Sequence, residues 1–280
     1  MVKMIDYKIF EEKFIYYFKA YALDYNEKII KDFYSFTDFL LSENQKYNLT
    51  SIKNIDEIIV KHYIDSVMIL KYFDIPENSK IIDIGTGAGF PALPLYIMRK
   101  DLQITFLDSS NKKINFIKNA IKGDFMFYCG RAEEFGRDIN IRETYDFAVS
   151  RAVARLNVLC ELTAAFIRPG GYFIAYKSIN AHDEIAEAKT ALKMLELEIE
   201  DTVEFDLFVG DGVPDVPDGK PPSLHDTRIP PPPADGNGAS GMPRPTQNGA
   251  NKRVLIKIKK LKKTSPKYPR NFSDITKTPL

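Results

Sequence analysis

A glycine-dense turn at Asp83-Ile84-Gly85-Thr86-Gly87-Ala88-Gly89-Phe90 constrains this chain more than any other stretch. The run Lys80-Ile81-Ile82 before it reads as a buried strand, and Ala92–Met98 after it reads as the start of a helix. A strand, a glycine turn and a helix in that order let the backbone approach a ligand without Cβ obstruction. The spacing Gly85, Gly87, Gly89 is G-x-G-x-G. A dinucleotide fingerprint needs G-x-G-x-x-G, and Phe90 occupies its third glycine position. The tighter pattern predicts a nucleoside ligand without phosphates, S-adenosylmethionine.

The second half of the unit follows. Gln103–Asp108 reads as the next parallel strand, and Asp108 lies 23 residues beyond Gly85. An acid there suits ribose hydroxyls; its plainer role is to cap the helix from Asn111.

From Lys80 onward strands near 80–84, 103–107, 125–128, 145–149 and 171–176 alternate with helices near 91–99, 111–121, 154–167 and 181–197. Such alternation predicts an α/β fold with a parallel sheet covered by helices on both faces. Ile199–Phe208 and Arg253–Leu261 then read as strands with no helix between them, so they should form an antiparallel hairpin. A Rossmann-like seven-stranded sheet closed in this way is the form of the class I S-adenosylmethionine-dependent methyltransferases. Residues 6–42 carry aromatic and aliphatic side chains at helical spacing, and Ile55–Phe73 looks helical again. Residues 1–75 are therefore expected to form an N-terminal helical cap, and 76–208 with 251–280 the methyltransferase domain.

Between the last two strands, Val209–Ala250 holds ten of the 17 prolines and seven of the 15 glycines, a composition that predicts disorder. It reads as an insertion, natural or engineered, that the hairpin tolerates; a role as ligand for a proline-recognition module is the alternative. Net charge is only +1, but Lys252–Ser273 contains nine Lys or Arg and no Asp or Glu, a candidate anion-binding surface or simply a solvated face. Cys129 and Cys160 show no metal-site spacing. With no apolar run long enough to span a membrane and no signal peptide, a cytoplasmic protein without metal is expected.

The acceptor is narrowed by what is missing. Ser150-Arg151-Ala152-Val153-Ala154 stands where enzymes methylating exocyclic amines carry an Asn/Asp-Pro-Pro-aromatic box. Neither cysteine has the context of a pyrimidine C5 nucleophile. Guanine N7 needs neither device, because its lone pair is exposed and carries no proton.

Tyr47-Asn48-Leu49-Thr50, His62-Tyr63-Ile64-Asp65-Ser66, the Asp83–Pro91 loop, Leu107-Asp108-Ser109 with Lys112-Lys113, Gly130-Arg131-Ala132-Glu133-Glu134, Ser150–Ala154 and Lys267-Tyr268-Pro269-Arg270 together resemble the bacterial 16S ribosomal RNA guanine-N7 methyltransferases, the glucose-inhibited division protein B family. The resemblance implies methyl transfer to one guanosine of 16S rRNA, with free RNA or the small subunit as partner; nothing in the sequence demands more than a monomer. A methyltransferase of the same fold acting on another RNA, a protein or a small molecule is the alternative. It further implies cofactor contacts from Asp83, Gly85, Gly87, Gly89, Phe90, Asp108, Ala132, Glu133 and Arg151, and makes Arg151, at the mouth shared by cofactor and substrate, the catalytic residue. His62, Lys177, Lys259, Lys263 and Arg270 are candidates for the RNA. Ordinary readings stand beside these: a helix-start pair for Glu133-Glu134, a surface salt bridge for Arg151, solvent exposure for Lys177 and helix packing for His62. Ala92, where the family usually has glycine, and the proline-rich segment depart from the pattern.

Overall fold

The computed structural model describes residues 5–210, 227–229 and 252–280. Strands β1 (Lys80–Ile84), β2 (Gln103–Asp108), β3 (Met126–Cys129), β4 (Tyr145–Arg151), β5 (Ile167–Lys177), β6 (Leu197–Asp206), β7 (Thr227–Ile229) and β8 (Lys252–Lys260) make one sheet in the order β3-β2-β1-β4-β5-β8-β6-β7. β1 to β5 pair in parallel; β8 runs antiparallel to both β5 and β6. The expected hairpin is therefore present, with β8 inserted between β5 and β6.

The seven expected strands are all present, and an eighth joins them. The eighth, β7, comes from within the proline-rich segment and pairs antiparallel with β6 through Thr202↔Ile229. The expectation of disorder across 209–250 thus fails for residues 227–229, where an exposed sheet edge offers unpaired backbone groups. The rest of that expectation, and the proline-module reading, falls almost wholly outside the described residues.

Period-two alternation divides the core. Ile81 joins a cluster beneath the N-terminal helices, while Ile82 and Ile84 join another beneath helix Leu156–Ala164. Helix α1 (Tyr7–Ala20) buries Phe10, Phe14 and Phe18, and α2 (Glu27–Tyr47) buries Phe33, Phe36 and Leu40. These residues share one continuous cluster with Phe106 and Phe147 of the sheet, so the N-terminal helices form a layer of the main core. Helix α2 ends where Asn48 turns left-handed at φ 54°, a conformation asparagine tolerates.

The third helical stretch differs from a simple helix. Ile58–Ile64 is π-helical, flanked by short α turns Ile55–Glu57 and Asp65–Val67. Such widened turns concentrate at functional sites. This one carries His62 and leads into Asp65, both directed at the carboxyl ends of the parallel strands. The predicted helix 181–197 is broken into Ala181–Glu187 and Lys189–Met194.

Candidate active site

The glycine loop leaves β1 with Gly85, Gly87 and Gly89 all at positive φ. At Gly85 a Cβ would lie 2.5 Å from a methyl of Val153, so glycine is required there by contact as well as by backbone. The loop spends its amide hydrogens on itself. Gly85 and Thr86 N–H donate to Leu107 O, Gly89 and Phe90 N–H donate to Thr86 O, and Gly87 N–H donates to Asp108 Oδ2 at 2.9 Å. A phosphate cradle needs such groups free and pointing at the ligand. This loop instead has the amides of Gly85, Thr86, Gly87, Gly89 and Phe90 engaged and an acceptor, Asp108, beside it, a setting for ribose hydroxyls.

Asp108 sits at the end of β2 with its carboxylate shared between loops. Oδ2 accepts from Gly87 N–H, Oδ1 accepts from Ser110 N–H at 2.9 Å, and Lys113 Nζ lies 3.4 Å from Oδ2. The capping and ligand readings are thus compatible: one acid stitches both loops and still lines a pocket of about 310 Å³. Gly85, Ala132 and Glu133 line the same pocket. Glu133 is the second residue of the short helix Ala132–Phe135. It is buried, and its carboxylate has no hydrogen-bond partner among the described residues. An acceptor open to the pocket and without a protein donor fits a ligand that brings its own N–H or O–H groups. These residues therefore fit S-adenosylmethionine: Asp108 for ribose hydroxyls, Glu133 and Ala132 for the adenosine part.

The other expected cofactor residues act from behind the pocket. Gly87 orients Asp108. Gly89 allows the following helix to approach, since a Cβ would lie 3.1 Å from Leu93 Cβ. Asp83 is fully buried; Oδ2 accepts from Thr86 Oγ1 at 2.7 Å and Ala92 N–H at 3.3 Å, while Oδ1 has no partner. Burial pushes its carboxyl up to about 7, against the Thr86 and Ala92 hydrogen bonds, which pull it down. A raised pKa means that the folded protein holds a proton which the unfolded chain has already released between about pH 4 and 7. Stability from this group is complete below that window and is lost as pH rises through it. Asp83→Asn removes the titration, so the melting temperature of the wild type relative to this variant is expected to fall between pH 5 and pH 8. A difference that stays constant with pH would show that Asp83 does not titrate there.

Phe90, expected at the cofactor, lines neither this pocket nor the cleft beside it and is buried behind that cleft. Its ring stacks on His62, with centroids 4.5 Å apart and planes 16° apart, and the Arg151 guanidinium lies 5.1 Å from its centre. Arg151 ends β4; Nη1 donates to Asp65 Oδ2 at 2.8 Å and lies near the Lys61 and His62 carbonyl oxygens. The salt bridge is real but buried, at the carboxyl edge of the sheet. The cleft, about 460 Å³, is lined by Lys61, His62, Asp65, Arg151, Lys177 and Arg253, among others. It meets the first pocket at Ala152, which lines both and holds a left-handed φ of 57°. That conformation costs a residue with a Cβ about 1–2 kcal/mol, and strain of this kind gathers at functional sites. His62 Nε2 is 2.9 Å from Thr50 Oγ1. Burial, reinforced by the Arg151 charge, lowers its pKa to about 3, so the ring is neutral at physiological pH.

The remaining RNA candidates are not together. Lys177 is half-buried with its side chain largely covered, donating to Ala154 O at 2.7 Å and pairing with Glu184 at 2.6 Å, so it lines the cleft without standing free in solvent. Lys259 pairs in register with Tyr172, at the sheet edge opposite the glycine loop, and its Nζ is 3.5 Å from Glu200. Lys263 is exposed just beyond β8 and has no ion pair among the described residues. Arg270 is committed to buried Glu161, with Nη2–Oε2 2.7 Å and Nε–Oε1 2.9 Å. Its role is to fix the C-terminal tail. Seven of the nine cations of the basic run lie within 4.0 Å of a carboxylate, which cancels most of the charge that the composition advertises. Sequence reasoning missed Arg253 in the cleft and Arg131 with Phe272 at the rim of the first pocket, where the guanidinium lies 4.4 Å from the ring centre.

A parallel sheet reversed at its last strands, a closed glycine loop and an acid at the end of β2 define a class I S-adenosylmethionine-dependent methyltransferase. Residues 29–207 match the GidB family, described as rRNA small subunit methyltransferase G. The chain belongs to that family and by that membership is an rRNA methyltransferase. Ribosomal RNA small subunit methyltransferase G of Clostridium botulinum (strain Loch Maree / Type A3) is 38% identical over 92% of this chain and 93% of its own length. The proteins of the same name from Thermoanaerobacter sp. (strain X514) and Lachnoclostridium phytofermentans are 44% and 35% identical, over 65% and 95% of this chain and 78% and 96% of theirs. Among solved structures, the precorrin-6y C5,15-methyltransferase from Geobacter metallireducens GS-15 aligns with 76% of this chain and 91% of its own at 10% identity and a TM-score of 0.43. Among the described residues no group of His, Cys, Asp and Glu could hold a metal ion, and no helix is long and apolar enough to cross a membrane.

Proposed function

We propose that the chain transfers the methyl group of S-adenosylmethionine to N7 of one guanosine in small-subunit rRNA, acting as a cytoplasmic monomer. One observation carries the reading: a pocket lined by Gly85, Asp108 and Glu133 shares Ala152 with a cleft that holds four cationic side chains, Lys61, Arg151, Lys177 and Arg253. When bound, S-adenosylmethionine supplies a methyl group on a positively charged sulfur. Asp108 and Glu133 hold the adenosine part, and the closed loop fixes its position relative to Ala152. Guanine N7 has no proton to lose, so the cleft needs no base. His62 matches this, since a ring kept neutral and hydrogen-bonded to Thr50 serves as a wall stacked on Phe90. The rate then rests on alignment and on electrostatics, for which a rigid cation such as Arg151 is suited. A base turned into the cleft has to come from a loop, because stacked duplex RNA hides its edges.

The test is incubation with labelled S-adenosylmethionine and small ribosomal subunits that lack this modification, followed by digestion and mass spectrometry. The expected product is 7-methylguanosine at a single loop position. Methyl incorporation into another base or atom would overturn the N7 assignment. No transfer to RNA, with cofactor binding intact, would overturn the acceptor.

A further inference from the structure

Of the nine Lys and Arg between Lys252 and Ser273, Arg253 is the one that lines the acceptor cleft. Topology explains why. Parallel strands end at the edge where the ligands sit, whereas an antiparallel strand begins there. In the β8 register Val254 pairs with Lys177, the last residue of β5, while Lys259 pairs with Tyr172 well back along the same strand. The start of β8 is thus beside the ends of β4 and β5, and Arg253 comes level with Arg151 and Lys177.

Asp65 seats it. The carboxylate is buried between two guanidinium groups: Oδ2 accepts from Arg151 Nη1 at 2.8 Å, and Oδ1 lies 3.3 Å from Arg253 Nε. The second contact is an ion pair without hydrogen-bond alignment, and Oδ1 has no hydrogen-bond partner. Arg253 is therefore held by charge while most of its five donors stay unspent; Nη1 donates only to Lys252 O. Its side chain is 26% exposed, against 13% for Arg151, so Arg151 is the deeper group and Arg253 the outer one. Across the cleft the four cations face Asp65 and Glu184, and Lys61 also pairs with Glu57, which leaves an excess of one positive charge. A base directed towards Ala152 leaves its backbone at the rim, and a planar fork of donors at that rim matches a phosphate group.

We propose that Arg253 grips a backbone phosphate of the RNA strand beside the acceptor guanosine. This rests on the rRNA reading of the cleft. The experiment measures methyl transfer to small subunits lacking the modification at several salt concentrations, for the wild type, Arg253→Ala, Arg253→Lys and Lys259→Ala. Arg253→Ala is expected to raise KM for the subunit about tenfold, the loss of one charge-assisted contact, with kcat and S-adenosylhomocysteine affinity unchanged. The slope of log(kcat/KM) against log[salt] should become shallower by about 0.7, one phosphate contact on single-stranded RNA. Arg253→Lys should keep the slope and recover part of KM, and Lys259→Ala should match the wild type. Wild-type KM and slope in Arg253→Ala, or an equal change in Lys259→Ala, would overturn the proposal alone. A wild type that forms no 7-methylguanosine would instead overturn the function, and the role of Arg253 with it.

Discussion

Asp108→Ala is expected to weaken S-adenosylhomocysteine binding about a hundredfold, the largest loss of cofactor affinity from any single change in the pocket. Two effects add. A carboxylate that accepts from ligand hydroxyls contributes about 1.5–3 kcal/mol per charge-assisted hydrogen bond. The same carboxylate accepts from Gly87 and Ser110 N–H groups, so its removal also frees both loops that border the pocket. Asp108→Asn keeps one acceptor oxygen and is expected to lose about tenfold, since one of the two backbone amides keeps its partner. Calorimetric titration gives both dissociation constants, and a melting curve shows that each variant is folded. Unchanged affinity in a folded Asp108→Ala protein would remove Asp108 from the site.

That prediction rests on residues whose roles were legible from their order along the chain. Strand, glycine turn, helix, strand and acid are local features, and each had a physical signature: β-branched runs, missing Cβ atoms, a carboxylate at a strand end. The antiparallel ending was legible for a similar reason, because a chain cannot return parallel without a crossover. What the sequence left open is orientation. The charge run Lys252–Ser273 was visible as composition, yet its effect depends on which residues meet acids. Glu200 faces Lys257 and Lys259 across the sheet, and Glu161 meets Arg270 from a helix more than a hundred residues away. Arg253 differs from its neighbours only in register. Topology points to it, because a final antiparallel strand begins at the ligand edge. The π-helical turn at Ile58–Ile64 had no such signal. Its residues read as an ordinary apolar helix, because apolar periodicity alone does not separate a π turn from an α turn. β7 was hidden by composition: proline and glycine dominate its surroundings, and an open strand edge overrides local preference.

Arg151→Ala is expected to reduce kcat/KM for the ribosomal subunit by about a hundredfold or more, the scale of losing a preorganised charge at a reacting centre, while changing S-adenosylhomocysteine affinity less than threefold. The asymmetry follows from where the side chain lies. Its guanidinium is in the acceptor cleft, over Phe90 and against Asp65, and it does not line the pocket that holds Asp108 and Glu133. Arg151→Lys retains the charge but not the plane that covers Phe90 or the fork that meets Asp65, so it should recover only a small part of the rate. Truncation also leaves buried Asp65 with Arg253 as its sole ion-pair partner among the described residues. A buried carboxylate deprived of a partner costs several kcal/mol, so the melting temperature of Arg151→Ala should fall, and Asp65→Asn in the same chain should restore part of it. Activity should not return with stability, because the missing guanidinium, rather than the exposed acid, limits transfer. Two results would place Arg151 elsewhere. Loss of S-adenosylhomocysteine affinity matching the loss of kcat/KM would make it a cofactor ligand. Recovery of transfer in the double variant would make its part structural, a strut that keeps the π-helical turn against the end of β4.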